Sequence, residues 1–316
     1  MRTRVYIDGY NFYYGCLKNT PYKWLDLAHL FEKHLLPRSG ITSSILHPNF
    51  GIKFYTAEIS EKVAEDGSSV DDQRSYHAAL KNHRSNSVKV KVVKGSYVID
   101  EVDSRLVEHN EKGQKKEPRD CSKVKVWKIE EKQSDVNVAL DAVFDAFSDP
   151  EVEHIVFTTN DTDIAPALNK LKELNALNLR TPIKIGLVIP SKERTGPRRA
   201  NKTLSQLADW TIDYILDDEL ANSQLPARIR GGNKAVFRPL SWFEYHQEVA
   251  EIIEILSAEG VCDTVPKAWR WLTDSKPDVP GLPILEDDPS SMLLSQEGVR
   301  AVLAHAKAFS EFKRGQ

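Results

Sequence analysis

The first two-thirds of the chain alternate short β-branched runs with stretches of helical periodicity, and this alternation constrains the fold more than any other feature. Strands separated by helices are typical of a parallel sheet that is covered on both faces. The pattern begins with a strand at residues 4–7 and ends with a strand at 211–215. We therefore predict an α/β fold with a parallel sheet flanked by helices.

The spacing of apolar residues places the individual elements. Strands are predicted at 4–7, 52–57, 88–93, 123–129, 154–159, 184–189 and 211–215, with helices at 25–35, 71–83, 134–147, 164–174 and 204–208. Between two of these strands, residues 100–123 are expected to form an exposed excursion with a turn at 110–113. In the helix at 134–147 the apolar residues recur at helical spacing, and Ser134 is its expected N-cap. These apolar residues are Val136, Leu140, Val143, Phe144 and Phe147.

The composition changes after Asp218, which indicates a domain boundary. Residues 219–236 are polar and rich in turn formers, as expected of a linker. Further on, three helical segments at 242–256, 264–272 and 295–312 flank a proline-rich stretch. At roughly 150 residues per domain, a chain of this length is expected to hold two. We predict a domain at 1–218, a linker at 219–236 and a smaller helical domain at 237–316.

Charge, cysteine content and hydropathy restrict the class of protein. The 316 residues carry 43 Lys and Arg against 46 Asp and Glu, a net charge of −3, which by itself argues against a protein that coats nucleic acid. Cys16, Cys121 and Cys262 are too far apart for a disulfide framework or a zinc site, so a reducing compartment is expected. The N-terminus does not resemble a signal peptide, and no apolar run approaches the ~18 residues of a membrane span. We expect a cytoplasmic protein without a membrane partner.

Carboxylates follow the strands at the edge where such a sheet binds ligands. Asp8 ends the first strand, Asp161 and Asp163 follow the strand at 154–159, and Asp135 begins a helix. Four carboxylates gathered at the carboxyl ends of parallel strands would repel one another unless Mg²⁺ or Mn²⁺ ions lay between them. A pair of such ions is the usual machinery for hydrolysing a phosphodiester.

Each carboxylate also has an ordinary structural explanation. Asp8 can belong to a plain turn, Asp135 can favour the first turn of its helix, and Asp163 can be an N-cap. Asp141 lies six residues beyond Asp135, at about 100° per residue, and therefore on a different face of the helix. It is expected to be a supporting or surface group.

At these residues the chain resembles the NYN domains, a LabA-like branch of the PIN-like nuclease superfamily. The resemblance covers about residues 1–218 and rests on segments 6–11 (YIDGYN), 131–136 (EKQSDV), 158–168 (TTNDTDIAPAL) and 205–209 (SQLAD). It implies a PIN-like parallel sheet and a nuclease that most often acts on RNA. It also implies a catalytic metal site formed by Asp8, Asp135, Asp161 and Asp163, with Asn11 and Asn160 orienting ligands or a substrate phosphate.

Basic and aromatic residues add candidate contacts. Arg194, Arg198 and Arg199 follow the strand at 184–189 and are placed to hold RNA phosphates. Residues 81–128 hold 13 Lys and Arg against 7 Asp and Glu, a pattern more typical of a solvated strand face. Tyr10, Tyr13 and Tyr14 are candidates for stacking on bases, whereas Phe12 is expected in the core. Trp242, Trp269 and Trp271 are typical of a core or a dimer face, so a homodimer through the C-terminal helices is a further expectation.

The motifs favour a metal-dependent ribonuclease that cleaves RNA with Mg²⁺ or Mn²⁺. A non-catalytic RNA-binding adaptor with the same fold is an alternative. The N-terminal stretch is also similar to bacterial proteins labelled 6-hydroxy-3-succinoylpyridine hydroxylases of nicotine breakdown, which implies an NADH-dependent enzyme. A flavin or NAD enzyme is expected to carry Gly-x-Gly-x-x-Gly after its first strand. Asp8-Gly9-Tyr10-Asn11 occupies that place, so hydride chemistry has no support from these residues.

Overall fold

A parallel sheet forms the centre of the molecule. The computed structural model describes residues 1–41, 43–62, 64, 67–192, 200–231, 234–274, 285 and 289–315. Its strands are β1 (Arg2–Asp8), β2 (Ile45–Leu46), β3 (Ile52–Thr56), β4 (Val90–Lys94), β5 (Ser96–Arg105), β6 (Lys123–Lys132), β7 (His154–Thr158), β8 (Lys184–Val188), β9 (Trp210–Ile212), β10 (Arg228–Ile229) and β11 (Val236–Phe237). Seven of them form the sheet in the order β4-β3-β1-β7-β8-β9, with β2 beside the start of β1.

Every strand pair in this sheet is parallel. The predicted α/β class with a parallel sheet flanked by helices is therefore confirmed. The strand order changes direction between β1 and β7. The segments that follow these two strands therefore run to opposite sides, and a crevice opens between them at the carboxyl ends of the strands. Asp8 and the residues after β7 lie at this crevice.

Helices cover both faces of the sheet. They are α1 (Gly9–Phe12), α2 (Leu27–His29), α3 (Leu36–Arg38), α4 (Ser69–Asn82), α5 (Ser134–Ser148), α6 (Ala165–Ala176), α7 (Lys202–Leu207), α8 (Asp217–Ala221), α9 (His246–Ser257), α10 (Val265–Asp274), α11 (Pro289–Met292) and α12 (Gln296–Arg314), with π-helical turns at Tyr13–Leu17 and Leu30–Leu35. Because side chains alternate along a strand, Val5 and Ile7 enter one core, which includes α4, and Tyr6 enters the other, under α5 and α6. Phe12 is buried in the first core, as predicted.

The C-terminal helices have a core of their own. Residues of α9, α10 and α12 bury one another around Trp269 and Trp271. Trp242 instead packs against the first core, beside Trp24 and Tyr76. The domain boundary at 218 stays a prediction, as does a homodimer through these helices. Among the described residues, none of the helices combines the length and the apolar character needed to cross a membrane.

The excursion after β4 is largely exposed, as predicted, and it also contains a strand, β5, that was not predicted. β5 and β6 pair antiparallel along ten residues each, from Ser96 opposite Lys132 to Arg105 opposite Lys123. Gly95 begins this hairpin, and a Cβ there would lie 2.5 Å from the carbonyl oxygen of Lys132. The turn predicted at 110–113 is confirmed by a 2.9 Å hydrogen bond from the Gly113 N–H to the Asn110 carbonyl.

The orientation of α5 does not follow from the apolar spacing that predicted the helix. The apolar residues counted at helical spacing are mostly exposed, whereas Val138, Ala142 and Ala146 pack on the sheet. Asp145 accounts for this orientation, because it faces inward to Lys53 Nζ at 2.6 Å and to an Arg4 nitrogen at 3.1 Å. Ser134 is not the N-cap. Gln133 holds that place with a positive φ of 76°, and the Ser134 hydroxyl donates to Glu131.

Candidate functional site

Two neighbouring cavities open at the carboxyl edge of the sheet. The first, here called the acidic cavity, has a volume of about 250 Å³. It lies at the crevice between β1 and β7 and is lined by Asp8, Tyr10, Asn11, Glu130, Glu131, Lys132, Ser134, Asp135 and Asp161. Three of the four carboxylates singled out from the sequence thus line one space.

Asp8 ends β1 and caps α1. Its buried carboxylate accepts a 2.9 Å hydrogen bond from the Asn11 N–H and a 3.0 Å bond from the Thr159 hydroxyl. Burial raises the pKa of Asp8, these hydrogen bonds oppose the rise, and the charge of Asp161 adds to it. Asp8 is therefore a helix cap rather than part of the plain turn offered as its ordinary explanation, and it also lines the cavity wall.

Asp135, Asp161 and Asp163 each bring a carboxylate oxygen within 4.8 Å of the others. Asp161 also caps the short turn that follows β7, because its side chain accepts a 3.0 Å bond from the Asp163 N–H. Burial raises the pKa of Asp135 to about 6, and the charges of Asp8, Asp161 and Asp163 contribute. The cluster is therefore electrostatically strained near neutral pH.

The other predicted site residues lie elsewhere. Asp141 accepts a 2.8 Å bond from the Tyr55 hydroxyl and pairs with Lys53 at 3.3 Å, so it faces away from the cluster, as the helical spacing predicted. Asn160 accepts a 2.9 Å bond from the Asn201 N–H and thereby ties two loops together. Arg194, Arg198 and Arg199 lie outside the described residues.

The second space, here called the aromatic cavity, has a volume of about 230 Å³. Its walls come from six separate parts of the chain. Its aromatic lining consists of Tyr10, Tyr13, Tyr14, Phe54, Tyr76, His77, Tyr97 and Trp242, and its charged lining of Lys23, Asp72 and Glu131. Tyr10 and Glu131 line both cavities, so they form the wall between them.

The aromatic rings are held by close packing. The centroids of Tyr10 and Tyr14 are 4.5 Å apart, and Tyr13 meets Tyr14 edge-on at 5.2 Å. Gly15 makes this arrangement possible, because a Cβ at Gly15 would lie 1.8 Å from the carbonyl oxygen of Pro190. The turn that carries Tyr13 and Tyr14 is therefore pressed directly against the segment after β8.

Glu131 is the ionisable group placed between the two cavities. It stands directly opposite Tyr97 across the hairpin, at the end of the hairpin nearest the sheet. Burial raises the pKa of Glu131 to about 7, the Ser134 hydroxyl opposes this shift, and the charges of Asp8 and Asp135 add to it. Glu131 can therefore exchange a proton near neutral pH.

His77 also lines the aromatic cavity, and its imidazole is neutral. Burial and the nearby charges of Lys94 and Lys81 lower its pKa to about 4. A neutral imidazole offers one donor and one acceptor to a ligand. The side chain of His77 is buried, and it also forms part of the cavity wall.

Most of the aromatic cavity was not predicted from the sequence. The tyrosines after β1 were proposed as stacking groups, but Glu131, Tyr97 and Trp242 were not connected with them. The available signal for Glu131 was its place at the end of a strand, just before Asp135. No comparable signal marks Trp242, which is more than 200 residues from Tyr14 in the chain.

Family models and solved structures add little to the identification of the site. No family model matches the chain. A crystal structure of a protein of unknown function from Vibrio parahaemolyticus superposes with a TM-score of 0.36 at 17% identity, over 69% of this chain and 94% of that one. A likeness at this TM-score carries no argument about function.

A relative that matches over nearly its whole length corrects the predicted activity. The chain is 38% identical over 312 residues to the 6-hydroxy-3-succinoylpyridine 3-monooxygenase HspA of Pseudomonas putida, over 96% of this chain and 93% of that protein. The predictions of a metal-dependent ribonuclease, of RNA hydrolysis and of Mg²⁺ or Mn²⁺ as cofactor are therefore wrong, as is the preference for them over the hydroxylase resemblance. The motifs led to the wrong activity because carboxylates at a strand edge do not only bind metals. They also cap helices and raise the pKa of neighbouring carboxyl groups. The chain belongs to the family of this 6-hydroxy-3-succinoylpyridine 3-monooxygenase.

Proposed function

We propose that the protein is a monooxygenase of a hydroxylated pyridine and that the aromatic cavity binds the ring. The observation that carries this proposal is the aromatic cavity itself, which has an ionisable carboxyl group in its wall. The relative's name supplies the class of substrate, a pyridine with a hydroxyl group and an acidic side chain.

The size and lining of the aromatic cavity suit a single ring. Its volume of about 230 Å³ lies below the roughly 300 Å³ at which sites for drug-sized ligands begin. A flat heteroaromatic ring gains from contact with Tyr10, Tyr14 and Trp242, whose faces and edges favour offset or edge-on packing. Lys23, whose ammonium lies 6.0 Å from the Trp242 ring centroid, provides a cation for the carboxylate of a succinoyl side chain.

Glu131 is the general base in this proposal. Removing the proton from the ring hydroxyl makes the pyridine richer in electrons and easier to oxygenate. A base with a pKa of about 7 is suited to that transfer at neutral pH. The carboxylates of Asp8 and Asp135 assist through charge, because they keep the proton affinity of Glu131 high.

Monooxygenation also needs O₂, two electrons and two protons, with one oxygen atom bonded to the substrate and the other released as water. A nicotinamide or a flavin supplies the electrons when bound. The crevice between β1 and β7 does not fit the phosphates of such a cofactor. A carboxylate, Asp8, already caps the helix that follows β1, and Asp135 and Asp161 line the same space. The acidic lining of this crevice therefore disfavours the phosphates of a dinucleotide.

We also infer that the sheet is of the PIN-like type suggested by the motifs. Its parallel order and the carboxylates at the β1–β7 crevice support this assignment.

The decisive experiment supplies 6-hydroxy-3-succinoylpyridine and O₂ with NADH, NADPH or a reduced flavin, and follows oxygen uptake together with substrate loss. We expect stoichiometric, substrate-dependent uptake. Trp242→Ala should reduce it at low substrate concentration, whereas Trp127→Ala, on the exposed hairpin, should not. Failure of the folded wild-type protein to oxygenate the pyridine with every reductant would reject the proposal.

A further inference from the structure

One face of α5 is apolar and open to solvent. Val136, Leu140, Phe144 and Phe147 are 60%, 64%, 67% and 73% exposed. Within α5, which is described throughout, the exposed positions are these four and Ser148, and none of them is charged. A helix face of this kind on a folded domain normally marks an interaction surface.

The apolar surface continues beyond the end of α5. Leu177 and Leu179 are 62% and 74% exposed and lie just after α6, which packs beside α5. Arg180 anchors this turn at the C-terminal end of α5, since its guanidinium donates to the carbonyl oxygens of Ala146 and Asp149. We call these six residues of α5 and the turn the α5 patch.

The area of the α5 patch matches that of a dimer interface. At roughly 180 Å² for a large apolar side chain, six side chains that are about two-thirds exposed present about 700 Å². A stable interface of standard size buries about 800 Å² on each partner. The patch therefore supplies most of one half of such an interface.

We propose that two copies of this chain associate through the α5 patch by a two-fold axis. In an antiparallel pair of α5 helices, Leu140 of one copy faces Phe144 of the other, and Val136 faces Phe147. Smaller side chains thus meet larger ones at every contact, which favours interdigitation. The absence of charge from the exposed positions of α5 means that a copy meets its own surface without repulsion, and antiparallel helices also align their dipoles favourably.

This interface differs from the one predicted from the sequence. The tryptophans that suggested a dimer of C-terminal helices, Trp269 and Trp271, are buried within the core of a single chain. The α5 patch is exposed instead. The proposal does not depend on the proposed activity, since it rests on exposure and shape alone.

Sedimentation velocity over a concentration series tests the proposal with Leu140→Glu and Phe144→Lys. Each change places charge against an apolar partner, so each variant should raise the dimer dissociation constant roughly 100-fold or more. An equimolar mixture of the two variants should regain the dimer, because the introduced carboxylate of one chain then faces the introduced ammonium of the other. Val107→Glu, at a 68% exposed position on the hairpin, should remain dimeric.

Several results would overturn the proposal. They are a monomeric wild-type protein, variants that dimerise normally, and a mixture that stays monomeric. Thermal unfolding of each variant checks that the exposed substitutions leave the fold intact. If one of them unfolds, Phe147→Lys provides the same test at another position of the patch.

Discussion

Asp135 offers a quantitative test of the electrostatics of the acidic cavity. Partial burial of its carboxyl group raises its pKa from 3.8 to about 6, and the charges of Asp8, Asp161 and Asp163 contribute to this shift. A carboxyl group with a raised pKa contributes stability below the unfolded pKa of 3.8. That contribution is lost as the pH rises through about 6. Asp135→Asn removes the charge at every pH and should therefore stabilise the fold above pH 6.

The magnitude follows from the size of the shift. A change of about 2 pKa units corresponds to about 3 kcal/mol at 1.36 kcal/mol per unit. Because the side chain is only partly buried, solvent screening reduces this to about 1–1.5 kcal/mol. At roughly 2 °C per kcal/mol for a protein of this size, the Tm should rise by about 2–3 °C at pH 8.

The assay is thermal unfolding of wild type and Asp135→Asn at pH 8 and at pH 4. The difference in Tm should be present at pH 8 and should shrink toward zero at pH 4. Asp141→Asn is a matched control on the same helix. Asp141 pairs with Lys53 and accepts from Tyr55, so its neutralisation should lower the Tm. A destabilised Asp135→Asn at pH 8, or a Tm difference that does not change with pH, would refute the reasoning.

Three further predictions concern the aromatic cavity. Glu131→Gln should lower kcat by about 10²–10⁴-fold and should abolish the rise of the pH–rate profile through about pH 7. An unchanged profile would exclude Glu131 as the general base. Tyr14→Ala should raise the KM for the pyridine about tenfold through lost ring contact, while Tyr14→Phe should keep a KM close to that of wild type. Gly15→Ala should destabilise the fold by about 1–3 kcal/mol, because its Cβ would meet the backbone of Pro190, and a wild-type Tm would contradict this packing.

The elements and the acidic edge were predictable because they depend on local patterns. Parallel strands end at a common edge, so Asp8 and Asp161 had to approach one another once the α/β pattern was recognised. Their chemical role did not follow, since a capping carboxylate and a metal ligand have the same side chain and the same position. The relative that matches over nearly its whole length, which is named a monooxygenase, overturned the metal-ligand interpretation.

The orientation of α5 is a feature that local sequence patterns could not predict. The helix carries two apolar faces, one of small residues such as Ala142 and one of large residues such as Phe144. The apolar spacing counted in the sequence falls on the face with large residues and identifies the helix, but it does not decide which face is buried. Only the sheet decided the rotation of the helix, because it places Lys53 and Arg4 where Asp145 must meet them.

The sequence by itself determined the alternating parallel fold, the burial of strands such as β7, and the carboxylates at the carboxyl edge. These depend on residues close together in the chain and on the geometry of a parallel sheet. Only the tertiary structure decided the aromatic cavity, in which Tyr14, Tyr97 and Trp242 meet from distant segments. It also decided the pKa of Glu131, because burial and neighbouring charges arise only when those segments pack together.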